Sequence, residues 1–289
     1  MIKKPFNSLN DYFVRYFFTD KGGEKVLLDF INAVMISANM KTFKSVEILN
    51  PFNLKKNYSD KETIVDVKCI TKNGTIVIIE VQLSGKSRFP ERILYYWSTN
   101  YSKLLKKGEG YEDLTPVISI NLLNFNLNKK DSNVHSCYMI YDTKNKRLLT
   151  DHLQIHIIEL KKFNFKNNNL SKDLNYWLGF FTTKNMEEYM SEIVKEKPIM
   201  EEAHKRYNNF IRSRLMMSEY EKKEIYQYDK QIMLKDERRE GIKEGMKKGK
   251  LEGIKERNYS IAKNLKKAGS DIEFISEITG LTIEEINKL

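Results

Sequence analysis

Cysteine is nearly absent from this chain: among 289 residues only Cys69 and Cys137 carry a thiol, and no CxxC pair occurs. A disulfide framework and a cysteine-rich zinc module both fail on count. Proline is scarce as well, five residues in all, too few for a proline-rich linker. Long hydrophobic runs are missing. Stretches such as Ile76–Ile79 fall far short of the ~18 residues a membrane span needs, and Met1–Pro5 offers no apolar leader. A cytoplasmic protein with no membrane partner is therefore expected. What the chain has is charge and aromatics: 40% hydrophobic and 31% charged residues, with 16 Tyr and 15 Phe, at a mean hydropathy of −0.56. Wholesale disorder is excluded by that aromatic content. The net charge is +11, which favours a polyanionic partner over a plainly solvated surface.

Residues 1–165 read as one α/β domain. Leu27, Phe30, Ile31 and Val34 keep helical spacing over 24–36, and strands are expected at 43–49, 63–71, 75–83, 115–123, 134–141 and 148–158. A helix over 88–107 ends at Gly108. Asn167, Asn168 and Asn169 mark a linker, and residues 166–257 form a helical, basic arm interrupted at Pro198. Between Lys205 and Arg257 lie 16 Lys and Arg against 10 Asp and Glu, so over half of the excess charge sits there. A cut at 205 is expected to leave a folded core. Gly241, Gly245, Gly249 and Gly253 recur every fourth residue; each costs a helix interior ~1 kcal/mol relative to Ala. A stripe of that kind points to a helix-packing or self-association seam, the bland alternative being a flexible solvated linker. Residues 258–289 form a small three-helix tail, in which Thr282 and Glu285 have capping-box spacing. Thr282–Leu289 holds two acids and one base, so packing suits the tail better than DNA reading.

The chemistry concentrates around Asn73-Gly74. A three-residue loop Lys72-Asn73-Gly74, with Gly74 left-handed, sets Thr71 opposite Thr75 and Asp66 opposite Glu80. Alternation then puts Asp66 and Lys68 on one face with Glu80 and Gln82, while Val65, Val67 and Cys69 share the other with Val77, Ile79 and Val81. Two facing carboxylates repel unless a cation lies between them, and a divalent ion held by carboxylates, waters and phosphate answers that need. The plain alternative is a half-exposed surface hairpin neutralised by Lys68 and Lys61. The helix that follows carries Arg88, Arg92, Tyr96, Thr99 and Lys103 on one stripe and Leu94, Trp97, Tyr101 and Leu104 on another. A basic, tyrosine-bearing stripe suits a phosphate backbone. His135, His152, His156 and His204 are scattered and are assigned no metal; His152 and His156 are expected to face solvent.

These residues resemble a known family. The order helix, strand, Asp-bearing strand, Glu-x-Gln strand, helix, strand is similar to the core of PD-(D/E)XK nucleases. The wording of Asn10–Phe18, Leu28–Val34, Val65-Asp-Val67, Ile78-Ile-Glu-Val-Gln82 and Arg92–Tyr96 resembles the Rpn family of recombination-promoting nucleases and transposases. The resemblance implies a restriction-endonuclease-like α/β core, a mixed sheet flanked by helices, with an all-helical C-terminal extension. It also implies a Mg2+-dependent DNA endonuclease, with Mn2+ able to replace Mg2+ and no small-molecule cofactor, tied to recombination, mobile elements or defence against foreign DNA. Asp66 and Glu80 become metal ligands, with Asp11 or Glu24 as candidates to complete the shell. Gln82 stands where the family name has Lys, and Lys68 is the candidate to supply the missing cation. The expected partners are DNA and, through the arm, a second copy of the chain. A non-catalytic DNA-binding or oligomeric adaptor with the same fold is the alternative, and RNA shares the chemistry at phosphorus.

Overall fold

Gly74 takes a left-handed backbone, φ +80°, at the turn that organises the sheet. Only glycine enters that region at little cost. The computed structural model describes residues 6–50, 52, 66–85 and 88–289. Thr71 donates its N–H to Thr75 O at 2.9 Å, closing the hairpin. Strands β2 (Val67–Thr71) and β3 (Ile76–Gln82) pair antiparallel with Val67 opposite Ile79 and Cys69 opposite Val77. This is the register expected from the turn; Lys61 and the stretch 63–65, Val65 included, lie outside the described residues.

The remaining strands are β1 (Val46–Ile48), β4 (Val117–Leu123), β5 (His135–Tyr141) and β6 (Leu148–Glu159), and the six form one sheet in the order β1-β2-β3-β4-β6-β5. β3, β4 and β6 are parallel to one another, and the flanking pairs are antiparallel. Parallel neighbours need a crossover, and helix α3 (Phe89–Ser102) provides it between β3 and β4. α3 covers one face, where Trp97, Tyr101 and Leu104 pack on Ile70, Ile76, Ile78 and Val117, and Phe89 and Ile93 pack on Leu123 and Ile157. Leu94, expected in that stripe, is exposed, with Ile93 buried in its place.

The other face carries the main core. Helices α1 (Asp11–Thr19) and α2 (Glu24–Ser37) lay Phe13, Phe17, Phe30 and Ile31 against Val67, Val77, Ile79 and Ile120. Asn10 caps α1 by accepting from the N–H groups of Tyr12 and Phe13.

The helical segment past residue 165 departs from a near-continuous arm. It is four helices, α4 (Lys172–Thr182), α5 (Met186–Ile193), α6 (Ile199–Arg212) and α7 (Arg214–Lys267). Asn185 caps α5 and Pro198 precedes α6, so two of the three breaks have local causes; the third falls at Ser213, whose backbone is extended. α4 to α6 and the start of α7 belong to the main core: Trp177, Phe180, Met200, Tyr207, Phe210 and Tyr220 are buried in it. Arg206, only 4% exposed, donates to the carbonyls of Phe17, Tyr16, Asp20 and Lys21 at the C-terminal end of α1. Tyr16 O also accepts the N–H of Asp20, and Asp20 O that of Gly23, so Arg206 adds donors at a helix end where carbonyls outnumber them. A cut at 205 would therefore open the core, contrary to expectation. The chain divides into compact units at Glu224/Ile225, inside α7, instead of at the asparagine linker.

In the second unit, Ala262, Ile275, Leu281 and Ile286 form a small core between the end of α7, α8 (Ile272–Thr279) and α9 (Ile283–Asn287). The Thr282–Glu285 capping box is present. A Cβ added at Gly241, Gly245, Gly249 or Gly253 would meet nothing within 4 Å. Among the described residues no helix is long and apolar enough to cross a membrane.

Candidate active site

β3 is the third strand of six and is covered on both faces, so a carboxylate at its C-terminal end is buried unless it reaches an edge. Glu80, beside Asn121 of β4, is 8% exposed. Asp66 lies just beyond the last β2–β3 pair, and its Oδ2 accepts the backbone N–H of Val81 at 2.7 Å. Burial and the charge of Asp66 push the Glu80 carboxyl well above the usual range. Asp66 itself is pushed up to about 7 by burial and by Asp11 of α1, against the opposing pull of the Val81 N–H, Arg15 and Lys223. The two carboxylates thus feel each other, and Asp11 reaches Asp66 from a separate element. Glu24, the other candidate acid, lies at the start of α2 and acts on neither carboxylate.

Gln82, two residues along the same strand face, donates from Nε2 to Glu80 Oε2 at 3.3 Å. Arg92 Nη2 of α3 donates to Gln82 Oε1 at 2.5 Å. Arg88, at the N-cap of α3 with φ 63°, and Lys103, at its C-cap, are exposed, and Tyr96 is half-buried with the Arg92 guanidinium 6.0 Å from its ring. The structure thus brings Asp66, Glu80, Gln82 and Arg92 together. Lys68 pairs with Ile78, burial and the neighbouring Lys103 lower its pKa, and it is not among the groups that act on Asp66 or Glu80. The cations that act on the carboxylates are Arg15 and Lys223 at Asp66 and Arg92 at Glu80. Arg15 was within reach of sequence reasoning, since it follows Asp11 by one helical turn. Lys223, whose Nζ is 3.4 Å from Asp11 Oδ2, had no local signal.

His156 also departs from expectation. It is fully buried, with Nδ1 3.0 Å from His135 Nε2, because β6 lies between β4 and β5 and its C-terminal half is buried. Half-exposed His152 meets the Tyr101 hydroxyl at 2.9 Å. No three His, Cys, Asp or Glu side chains converge as a ligand cluster among the described residues. Mg2+ does not require one, since it keeps several waters and takes one or two carboxylates. The donor set suits it: hard oxygens only, in a pair whose mutual repulsion a cation relieves.

The family model of the PD-(D/E)XK nuclease family transposases matches residues 8–237, a span that includes α1, the whole sheet and the carboxylate pair. The chain belongs to that family. No curated protein and no solved structure matches it. The mixed six-stranded sheet flanked by helices is the PD-(D/E)XK-like α/β fold, with its helical C-terminal extension, and the membership is nuclease- and transposase-related.

Proposed function

We propose that this family member is a divalent-metal-dependent DNA endonuclease acting on mobile or foreign DNA in the cytoplasm. The observation that carries the reading is the buried Asp66–Glu80 pair at one end of the sheet: the Val81 N–H holds Asp66 against the strand that carries Glu80, Glu80 is 8% exposed, and burial together with the charge of Asp66 raises the Glu80 carboxyl. Asp66 and Glu80 would hold Mg2+ or Mn2+, with Asp11 near enough to influence the site. When bound, such an ion polarises a phosphodiester and lowers the pKa of an attacking water. The chain's own residues fix the carboxylates: Val81 N–H holds Asp66, and Gln82 holds Glu80. Exposed Arg88 and Lys103, with Tyr96 between them on α3, form the phosphate-tracking stripe. Gln82 does not act as a base, because an amide has no useful pKa. Self-association through the glycine stripe of α7 is part of the same proposal.

The decisive assay is cleavage of supercoiled, linear and single-stranded DNA in Mg2+, Mn2+ or EDTA, with RNA as control and Asp66→Ala beside the parent. Metal-dependent cleavage lost in Asp66→Ala supports the reading. DNA binding without cleavage in either ion would instead favour the adaptor.

A further inference from the structure

Gln82 sits between a cation and a carboxylate, and an amide can face such neighbours in only one way. A guanidinium has donors and no acceptor, so the Gln82 atom facing Arg92 must be its oxygen. Its NH2 then points the other way, onto Glu80 Oε2. The Arg92 guanidinium is itself held: its central carbon lies 5.3 Å from the ring centroid of Phe89, which is 2% exposed, and 6.0 Å from that of Tyr96. Among the described residues no other hydrogen bond reaches the Glu80 carboxylate. Without Arg92, the amide could rotate and present its oxygen to Glu80, a repulsive contact.

We propose that Arg92 is a positioning residue: through Gln82 it orients one oxygen of Glu80 and leaves the other for a divalent cation. The proposal rests on the nuclease reading of the same pair. It assigns Arg92 a role different from the phosphate contact that the helix stripe alone implies. It also explains how a neutral side chain serves at position 82: the positive charge stands one hydrogen bond further away, and the amide passes on its orientation.

The test measures Mn2+ binding to the full chain by electron paramagnetic resonance, and DNA affinity separately in EDTA. Arg92→Gln, which offers Gln82 either a donor or an acceptor, is expected to weaken Mn2+ binding about tenfold or more, as losses of groups behind a metal ligand do. Gln82→Ala should match it, and the double variant should be no weaker than either single one, because both act through one chain of contacts. Arg92→Lys keeps a donor-only group and should recover most of the binding. DNA affinity in EDTA should not change. Unaltered Mn2+ affinity in Arg92→Gln overturns the proposal, as do additive losses in the double variant. Reduced DNA affinity with intact Mn2+ binding also overturns it and makes Arg92 a phosphate contact. Should Arg92→Gln fail to fold, Gln82→Ala and Arg92→Lys decide the matter on the same readouts. A parent protein that neither binds Mn2+ nor cuts DNA removes the nuclease reading and the relay together; one that does both, with these variants indifferent, removes the relay alone.

Discussion

Val81 donates its backbone N–H to Oδ2 of Asp66 at 2.7 Å, a bond that joins the residue before β2 to the strand carrying Glu80. It favours the charged form of Asp66 against burial, as Arg15 and Lys223 do, while Arg92 and Gln82 do the same for Glu80.

Replacing Asp66 by Asn should keep that bond, since the amide oxygen accepts as well, and remove the charge. Cleavage should fall on the order of a hundredfold or more, the weight of several kcal/mol of metal assistance. The stability effect has a definite sign. Asp66 is raised from its ordinary 3.8 to about 7 in the folded chain, so the folded state holds this proton more tightly than the unfolded one. The stabilisation this gives is complete below the unfolded value and is lost as pH rises through about 7. In EDTA, Asp66→Asn should melt above the parent at pH 8, with the gap closing toward pH 5. Equal gaps at both pH values would show that charge is not the source.

The histidine pair behaves oppositely. Burial depresses His135 to about 4 and His156 to about 3, the latter with help from the neighbouring His135. Unfolded histidine takes its proton first as pH falls below about 6.5, so the stability is present above that value and drains away down to about 4. The carboxylate pair works against this trend, so the cleanest background is Asp66→Asn. There, the urea midpoint should fall between pH 6.5 and 4, and His156→Gln should flatten the decline. An unchanged slope would place the proton uptake at other groups.

Two truncations separate the core from the arm. A chain ending at Glu224 should fold, because its helices up to the start of α7 complete the main core. One ending at His204 should lack a cooperative melt. It loses Arg206, Tyr207, Phe210 and Tyr220, and at ~3–5 kcal/mol for each large aromatic lost to Ala, two exceed the margin of many domains. Residues 225–289 hold 14 Lys and Arg against 12 Asp and Glu, the bases concentrated in α7, so the chain ending at Glu224, having lost those Lys and Arg contacts, should also show a shallower salt dependence of DNA binding. A cooperative melt for the shorter chain would contradict the packing of α6.

Alanine at Gly241, Gly245, Gly249 and Gly253 clashes with nothing in the single chain. Each replacement should favour the helix by ~1 kcal/mol, raising ellipticity. If the stripe is a close-packed seam, the added methyl groups hold helices apart, and sedimentation should report a smaller assembly than the parent's. Raised ellipticity with the parent's sedimentation profile would make the arm a solvated helix.

Much of this was legible locally. The left-handed Gly74 and the alternation of its flanking strands determine which residues of β2 and β3 pair, because both act over a few residues. The Thr282–Glu285 cap is legible for the same reason. The carboxylate pair and Gln82 follow from that register.

Tertiary structure alone decided the rest. His156 alternates with apolar residues as a surface histidine would, yet β6 is interior, and strand order depends on contacts between segments far apart in sequence. Lys68 shares the face of Asp66 by alternation, but α3 brings Lys103 to it, whereas α1 and α7 bring Arg15 and Lys223 to Asp66. Arg206 bonds carbonyls more than 180 residues upstream, a pairing with no trace in spacing. Residue pattern determines which side of an element a group occupies; only the packing of elements determines what faces it, because burial and charge act through space and not along the chain.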